Sequence, residues 1–370
     1  KMTNIRRALE AAAGTGGGRP ELWAWGYNNV GQLGTNNTIQ KSSPVQVGSL
    51  TDWSVVDARV QHGLAVKDDG IMWAWGGNGS GQLGDGTITT RSSPVQIGAL
   101  TTWAAVAAGF SHSIAVKTDG TLWAWGTGGN GQRGDGSYST PLSSPIQIGA
   151  LTNWSIVAAG KNITMAIKTD GTLWAFGYNS VGQLGLGDIT SRSSPVQVGA
   201  LTTWQSVSTS KVHTVAVKTD GTLWSWGEGA TGRLGHGNTT DRSSPVQVGA
   251  LTTWAAASAG GEFSGAIKTD GTLWTWGRNT SGRLGLGNTT DYSSPKQVGA
   301  LTSWSLLSCG FTSHTLVIKT NGTLWGFGAN VNGELGQGNT TANSSPVQVG
   351  ALTSWLLPVA MDRSSLGTKS

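Results

Sequence analysis

Between residues 94 and 126 short apolar runs alternate with polar breaks. Residues 95–97 follow Pro94, a residue tolerated at strand starts. Residues 103–108 run from a Trp to Gly109, 113–117 alternate and end near Asp119-Gly120, and 121–126 read Thr-Leu-Trp-Ala-Trp-Gly. A period of two predicts strands, and Asp-Gly between two alternating runs predicts a hairpin with a two-residue type I′ turn. The same pair returns at Asp69-Gly70, Asp170-Gly171, Asp220-Gly221 and Asp270-Gly271, with Asn321-Gly322 in its place once. No helical period interrupts these runs, so each unit reads as four short strands.

Three markers each occur seven times, about fifty residues apart. One is Leu/Met-Trp-x-Trp/Phe-Gly, led by Trp23, Trp73, Trp123, Trp174, Trp224, Trp274 and Trp325. Another is Ser-Ser-Pro, and the third is a lone Trp after Leu-Thr-x, from Trp53 to Trp355. Four strands repeated seven times predict an all-β, seven-bladed β-propeller of four-stranded antiparallel blades. Aligned on earlier repeats, Lys369 falls on Lys117, so the last unit lacks its Trp-x-Trp strand. Residues 21–25, Glu-Leu-Trp-Ala-Trp, supply it. The last blade is therefore expected to close by pairing of N- and C-terminal strands, 22–26 against 364–368, which removes open sheet edges. The small Ala-Ala-Gly ends at 107–109 and 158–160 place the Trp-led strand nearest the axis.

Composition sharpens this picture. The chain has 58 glycines in 370 residues, as a protein made of tight turns requires, and nineteen tryptophans, all on repeat positions. Each Trp buries roughly 150–250 Å², so most must be inside. A net charge of +5 without a basic run argues against specific nucleic-acid binding. The single cysteine, Cys309, excludes an internal disulfide. No stretch of eighteen apolar residues exists to span a membrane, and the N-terminus shows no apolar secretory core.

The order Val-Ala-Ala-Gly-x-x-His-Ser-x-Ala-Val-Lys-Thr-Asp-Gly-Thr-Leu-Trp-Ala-Trp-Gly, then Gly-Gln-Leu-Gly and Ser-Ser-Pro, resembles the repeat of the regulator of chromosome condensation family. Gly109, His112, Asp119, Gly120, Trp125, Gly126, Gly131, Gln132 and Gly134 carry the resemblance, which covers residues 21–370. It implies a seven-bladed propeller. One plant branch of the family senses light through tryptophans, but its Gly-Trp-Arg-His-Thr motif is absent here.

The repeated residues read first as architecture. Trp-x-Trp positions are expected in the core between blades. His62, His112, His213 and His314 recur in phase, with Ile163, Phe263 and Ser364 in the same slot. Ile and Phe as equivalents argue against a metal site, so these are expected to be structural histidines. Lysines from Lys67 to Lys369 form a sevenfold ring, expected to be solvated. Gly79-x-Gly81-x-x-Gly84 matches a dinucleotide fingerprint, but no helix follows to hold a phosphate. No acid/base pair suggests catalysis, and no metal or cofactor is implied.

Function is expected where repeats differ. The loops after the Trp-led strands vary, and Arg59, Gln61, Phe110, Lys161, Asn162, Lys211, Glu262, Phe263 and Phe311 are the candidate contacts of one loop face. Phe110, Phe263 and Phe311 are expected to form an exposed apolar cluster there, facing a protein partner or cell-surface ligand. Residues 1–13 read as a short helical docking peptide with Ile5, Arg6, Arg7 and Leu9, joined by a Gly-rich linker at 14–20 to the propeller at 21–370. Such a tail fits anchoring to other subunits of an assembly. The leading expectation is a non-enzymatic propeller displayed on a larger particle, as a phage virion decoration or host-adhesion protein. The alternatives are an intracellular, cytoplasmic regulator binding a small GTPase or chromatin, as the resemblance implies, and a secreted protein-binding or inhibitor module.

Overall fold

The computed structural model describes residues 19–370. The expected docking helix with Ile5, Arg6, Arg7 and Leu9, and all but the end of the linker, lie outside the described residues. Blade 1 consists of Trp53–Ala58, His62–Lys67, Met72–Gly76 and Arg91–Gln96, hydrogen-bonded in that order. Blades 2 to 6 repeat it, and no α-helix is present among the described residues. Blade 7 joins Trp355–Ala360 and Ser364–Lys369 to Glu21–Gly26 and Lys41–Gln46. Leu22 stands opposite Thr368 and Gly26 opposite Ser364, the register read from sequence.

The phase of the blade differs from the unit read along the chain. The strand carrying Pro94 pairs with Met72–Gly76, so it is the outer strand of the preceding blade. Proline fits there because an edge strand leaves one row of amides unpaired. Closure therefore uses two strands from each end. The Trp-led strands of neighbouring blades lie side by side around the axis.

The hairpins differ from expectation too. Gly120 N–H donates to Lys117 O at 2.9 Å, and Lys117 N–H to Thr121 O at 3.1 Å. Gly120 has φ 77° while Asp119 keeps a negative φ. This is a three-residue loop with glycine in the left-handed region, not a type I′ turn. The Asp119 carboxylate decides it by accepting the Thr121 amide at 2.9 Å and hydroxyl at 2.6 Å. A side chain at Gly120 would also strike Thr152 O of the next blade, 2.1 Å from an ideal Cβ.

Five lysines of the ring sit in tryptophan cages and are not free in solvent. Lys117 stands opposite Trp103 in the ladder, and its Nζ lies 3.5 Å from the Trp123 ring centroid and 5.0 Å from that of Trp103. Lys168, Lys218, Lys268 and Lys319 occupy equivalent cages. The aliphatic stem covers indole while the ammonium meets the ring face. Burial lowers the pKa of Lys117, with Asp119 opposing it.

The core lies between blades. One cluster joins Leu64, Met72, Leu83 and Ile97 of blade 1 to Trp103, Val106 and Trp125 of blade 2. Below the loops a polar node recurs. Trp125 Nε1 and Ser113 Oγ both donate to Gln82 O, at 2.8 and 2.7 Å, and His62 Nε2 lies 2.9 Å from Ser113 Oγ. Since the hydroxyl proton goes to the carbonyl, the histidine must donate from Nε2. His112–Thr164, His213–Ser264 and His314–Ser365 repeat the link between adjacent blades. Burial pushes each of these histidines down to about 3. They are structural, as the slot they share with Ile163 implies.

Candidate functional site

Two kinds of loop leave the ring on one face. One joins the innermost strand to the second, and the other joins the third to the outer. Gly77 N–H donates to Gln61 O at 2.7 Å and Thr127 N–H to Ser111 O at 2.8 Å, holding the two together. Hairpin turns and blade-to-blade links leave on the opposite face. We refer to these as the mouth face and the turn face.

Around the axis the first kind of loop is stitched by main-chain bonds. Phe110 N–H donates to Gly160 O, Lys161 to Ser210, Gly261 to Gly310, Phe311 to Met361 and Asp362 to Arg59, all between 2.8 and 3.2 Å. The side chains inside this collar break the sevenfold symmetry. The Phe110 and Phe311 rings meet at 6.0 Å between centroids. Three cations from three blades gather on them. Lys211 Nζ is 4.9 Å from the Phe311 centroid, Arg59 Cζ 5.8 Å from it, and Lys161 Nζ 6.0 Å from that of Phe110. Arg59 stands where blades 2, 3, 5 and 6 carry glycine. Its guanidinium crosses to Ala108 O at 3.3 Å and Thr209 O at 3.1 Å, tying blade 1 to blades 2 and 4. Burial lowers its pKa, with Asp57 opposing the shift.

Below the mouth lies an axial cavity of about 160 Å³, lined by the innermost strands, among them Val56, Asp57, Ser206 and Leu306. Asp57 Oδ2 accepts the Ala108 amide at 2.9 Å. Among the described residues no three or more His, Cys, Asp or Glu side chains gather as a metal requires. Nor does any helix among them have the length and apolarity to cross a membrane.

The expected exposed phenylalanine cluster is corrected. Phe263 is the first residue of a strand and fully buried in the histidine slot, so it cannot touch a partner. Phe311 is also buried, at 3% exposure. Stacking against Phe110 in the collar hides it, and Phe110 remains half-buried as the floor of the mouth. Arg59, Lys161 and Lys211 come together. Glu262 is drawn aside by Arg278 at 2.8 Å and Arg283 at 3.6 Å. Gln61 and Asn162 are half-buried at the collar's outer edge, where Asn162 O accepts the Tyr178 amide at 2.9 Å.

Two groups of residues escaped the sequence reading. Asp362 and Arg363 complete the collar from blade 7, where the Asp362 amide donates to Arg59 O at 3.0 Å. Burial raises the Asp362 pKa against the pull of Arg363 and Lys211. On the rim of the same face Ile88, Tyr138 and Ile189 are exposed at 69%, 56% and 65%. The same loop position holds Thr239, Thr289 and Thr340 in blades 4 to 6, a contrast that aligning the repeats reveals.

The regulator of chromosome condensation (RCC1) repeat matches residues 21–66, 69–116, 119–167, 170–217, 220–267, 270–318 and 321–360. No curated protein matches in sequence. Among solved structures, human WBSCR16 superposes with a TM-score of 0.86 at 20% identity, over 95% of this chain and 99% of that one. Prp20p of Saccharomyces cerevisiae, described with its binding properties to Gsp1p and histones, gives 0.83 at 18% identity, over 95% and 91%. Yeast Prp20 bound to Kap60 gives 0.83 at 18%, over 95% and 89%.

Proposed function

Because this chain belongs to the regulator of chromosome condensation repeat family, we propose that it is a non-enzymatic propeller that binds a small GTPase or chromatin through its mouth face. The observation that carries this reading is where the repeats diverge. The turn face keeps one residue set, including an exposed leucine, in blade after blade, whereas the mouth face carries different side chains on each blade and exposed apolar residues that differ between them, among them Ile39, Ile88, Tyr138, Ile189 and Val331. Exposed apolar side chains rimmed by polar loops are the usual mark of a protein-binding surface. A described relative of the same fold binds Gsp1p and histones. Display on a virion draws no support from the fold or from these relatives.

Gel filtration of the chain with a purified small GTPase from its own source, and separately with histone octamers, tests the reading. Co-elution with one of them is expected. Ile88→Asp with Ile189→Asp should weaken the complex about tenfold or more, since interface anchors dominate affinity. Leu251→Asp, on the turn face, should leave it unchanged. Co-elution with neither partner, or loss through Leu251→Asp alone, overturns it.

A further inference from the structure

The cations of the mouth face fall into two sets. Four in the outer loops are held by a carboxylate of their own face. Arg91 meets Asp85 at 2.9 Å, Arg133 meets Asp135 at 2.8 Å, Arg192 meets Asp188 at 2.6 Å and Arg233 meets Glu228 at 2.5 Å. The cations over the axis are different. No ion pair within 4.0 Å engages Lys161 or Lys211 among the described residues, and Arg59 spends its guanidinium on two main-chain carbonyls. The nearby Asp362 carboxylate pairs with its neighbour Arg363 at 3.7 Å. Positive charge therefore accumulates at one point, the centre of the ring.

The point is also built. Lys161 and Lys211 rest on Phe110 and Phe311, and those rings are fixed by the stitched collar. Cations held over a low-dielectric floor attract an anion more strongly than cations free in water. Their arrangement selects the kind of anion. A nucleic-acid backbone needs a track of unpaired cations along a groove, and here Arg91, Arg133, Arg192 and Arg233 are already paired. A single charged focus at the end of a narrow axis suits a protruding carboxylate with its neighbours.

We propose that the axial mouth is a binding site for an acidic segment of a protein partner, received by Lys161 and Lys211 over the Phe110–Phe311 floor. The inference rests on the protein-binding reading and specifies the chemistry of its centre. A partner docked on the mouth face would place Asp or Glu side chains over the axis, and Arg59 would reinforce the field from below.

Isothermal titration calorimetry with hexaglutamate tests this, with hexaglutamine and inorganic phosphate as the other arms. One hexaglutamate per chain is expected to bind, more weakly as salt rises, while hexaglutamine does not. Lys161→Ala with Lys211→Ala should cut the affinity about tenfold or more without changing the melting temperature. The caged Lys117→Ala should bind as the parent does. Absence of hexaglutamate binding, or binding indifferent to Lys161 and Lys211, overturns the inference. So does phosphate binding as tightly as hexaglutamate, which makes the mouth a small-anion site only. The two readings separate cleanly. If a GTPase or histones co-elute but hexaglutamate neither binds nor competes, the acidic-segment inference fails and protein binding stands. If hexaglutamate binds through the two lysines but neither partner co-elutes, the assignment of partners fails and the site stands.

Discussion

The layer between blades and the axial mouth are built from the same repeats, yet they treat repetition in opposite ways. Between blades the ring and the carbonyl recur in every blade, and the hydroxyl in every blade but the first, where Gly63 stands. Phe176 and Phe327 replace Trp, and both remain fully buried. At the mouth no two blades offer the same three residues. Side chains there reach across the ring, as Arg59 does to Thr209, so each blade meets a different neighbour. Local contacts between adjacent units can be copied with the unit, whereas contacts across an axis cannot be satisfied by identical residues.

The sharpest way to break this comparison is to damage the copied layer. Trp125→Ala removes a fully buried indole and its bond to Gln82 O. A loss of about 3–5 kcal/mol is expected, read from denaturant unfolding, and a loss under about 1 kcal/mol would mean that the layer is not what holds the ring.

Acid comes next. The four node histidines are neutral when folded, with values near 3 against 6.5 for the unfolded chain. Their contribution is complete above pH 6.5. It falls as the pH drops toward 3, because the unfolded chain then binds protons that the folded one refuses. Each should cost on the order of 1 kcal/mol per pH unit in that window. Melting temperatures should therefore fall from pH 6.5 to 4. His213→Phe, copying the side chain that blade 5 carries in this slot, should reduce the slope by about a quarter. An unchanged slope would show that these histidines protonate in place.

The smallest effect separates the two classes of lysine. Lys117→Ala breaks a cage and should cost about 1 kcal/mol. Lys161→Ala, exposed at the mouth, should stay within about 0.5 kcal/mol of the parent. Equal losses would remove the distinction between caged and presented cations.

The same division explains what was legible in the chain. Strands, blade number and closing register follow from residues three to fifty apart, and Trp23, Trp73 and their equivalents announce them. Phase was misread because Ser-Ser-Pro lies nearer in sequence to the next Trp than to the strand it pairs with. Recurrence alone reads the lysines as solvated and hides their cages, although Lys117 faces Trp103 across one hairpin and that pairing is local. Lys161, Lys211 and Arg59 were picked out as variable loop residues. Their convergence depends on distances across the ring, which no periodicity encodes. Phe263 shows the reverse error, since a variable residue can be variable because it fills a buried slot.

Seventh-blade closure has a consequence for biosynthesis. Glu21–Gly26 and Lys41–Gln46 are made before blades 1 to 6 but find their partners only in Trp355–Ala360 and Ser364–Lys369, made after them. Blades 1 to 6 can assemble on the ribosome as they emerge, each sheet complete within its own stretch of chain. The early strands must wait with unpaired edges until blades 1 to 6 have been made and residues 355–369 have followed. That wait is the interval in which a nascent chain of this kind is most exposed to aggregation and most dependent on chaperones.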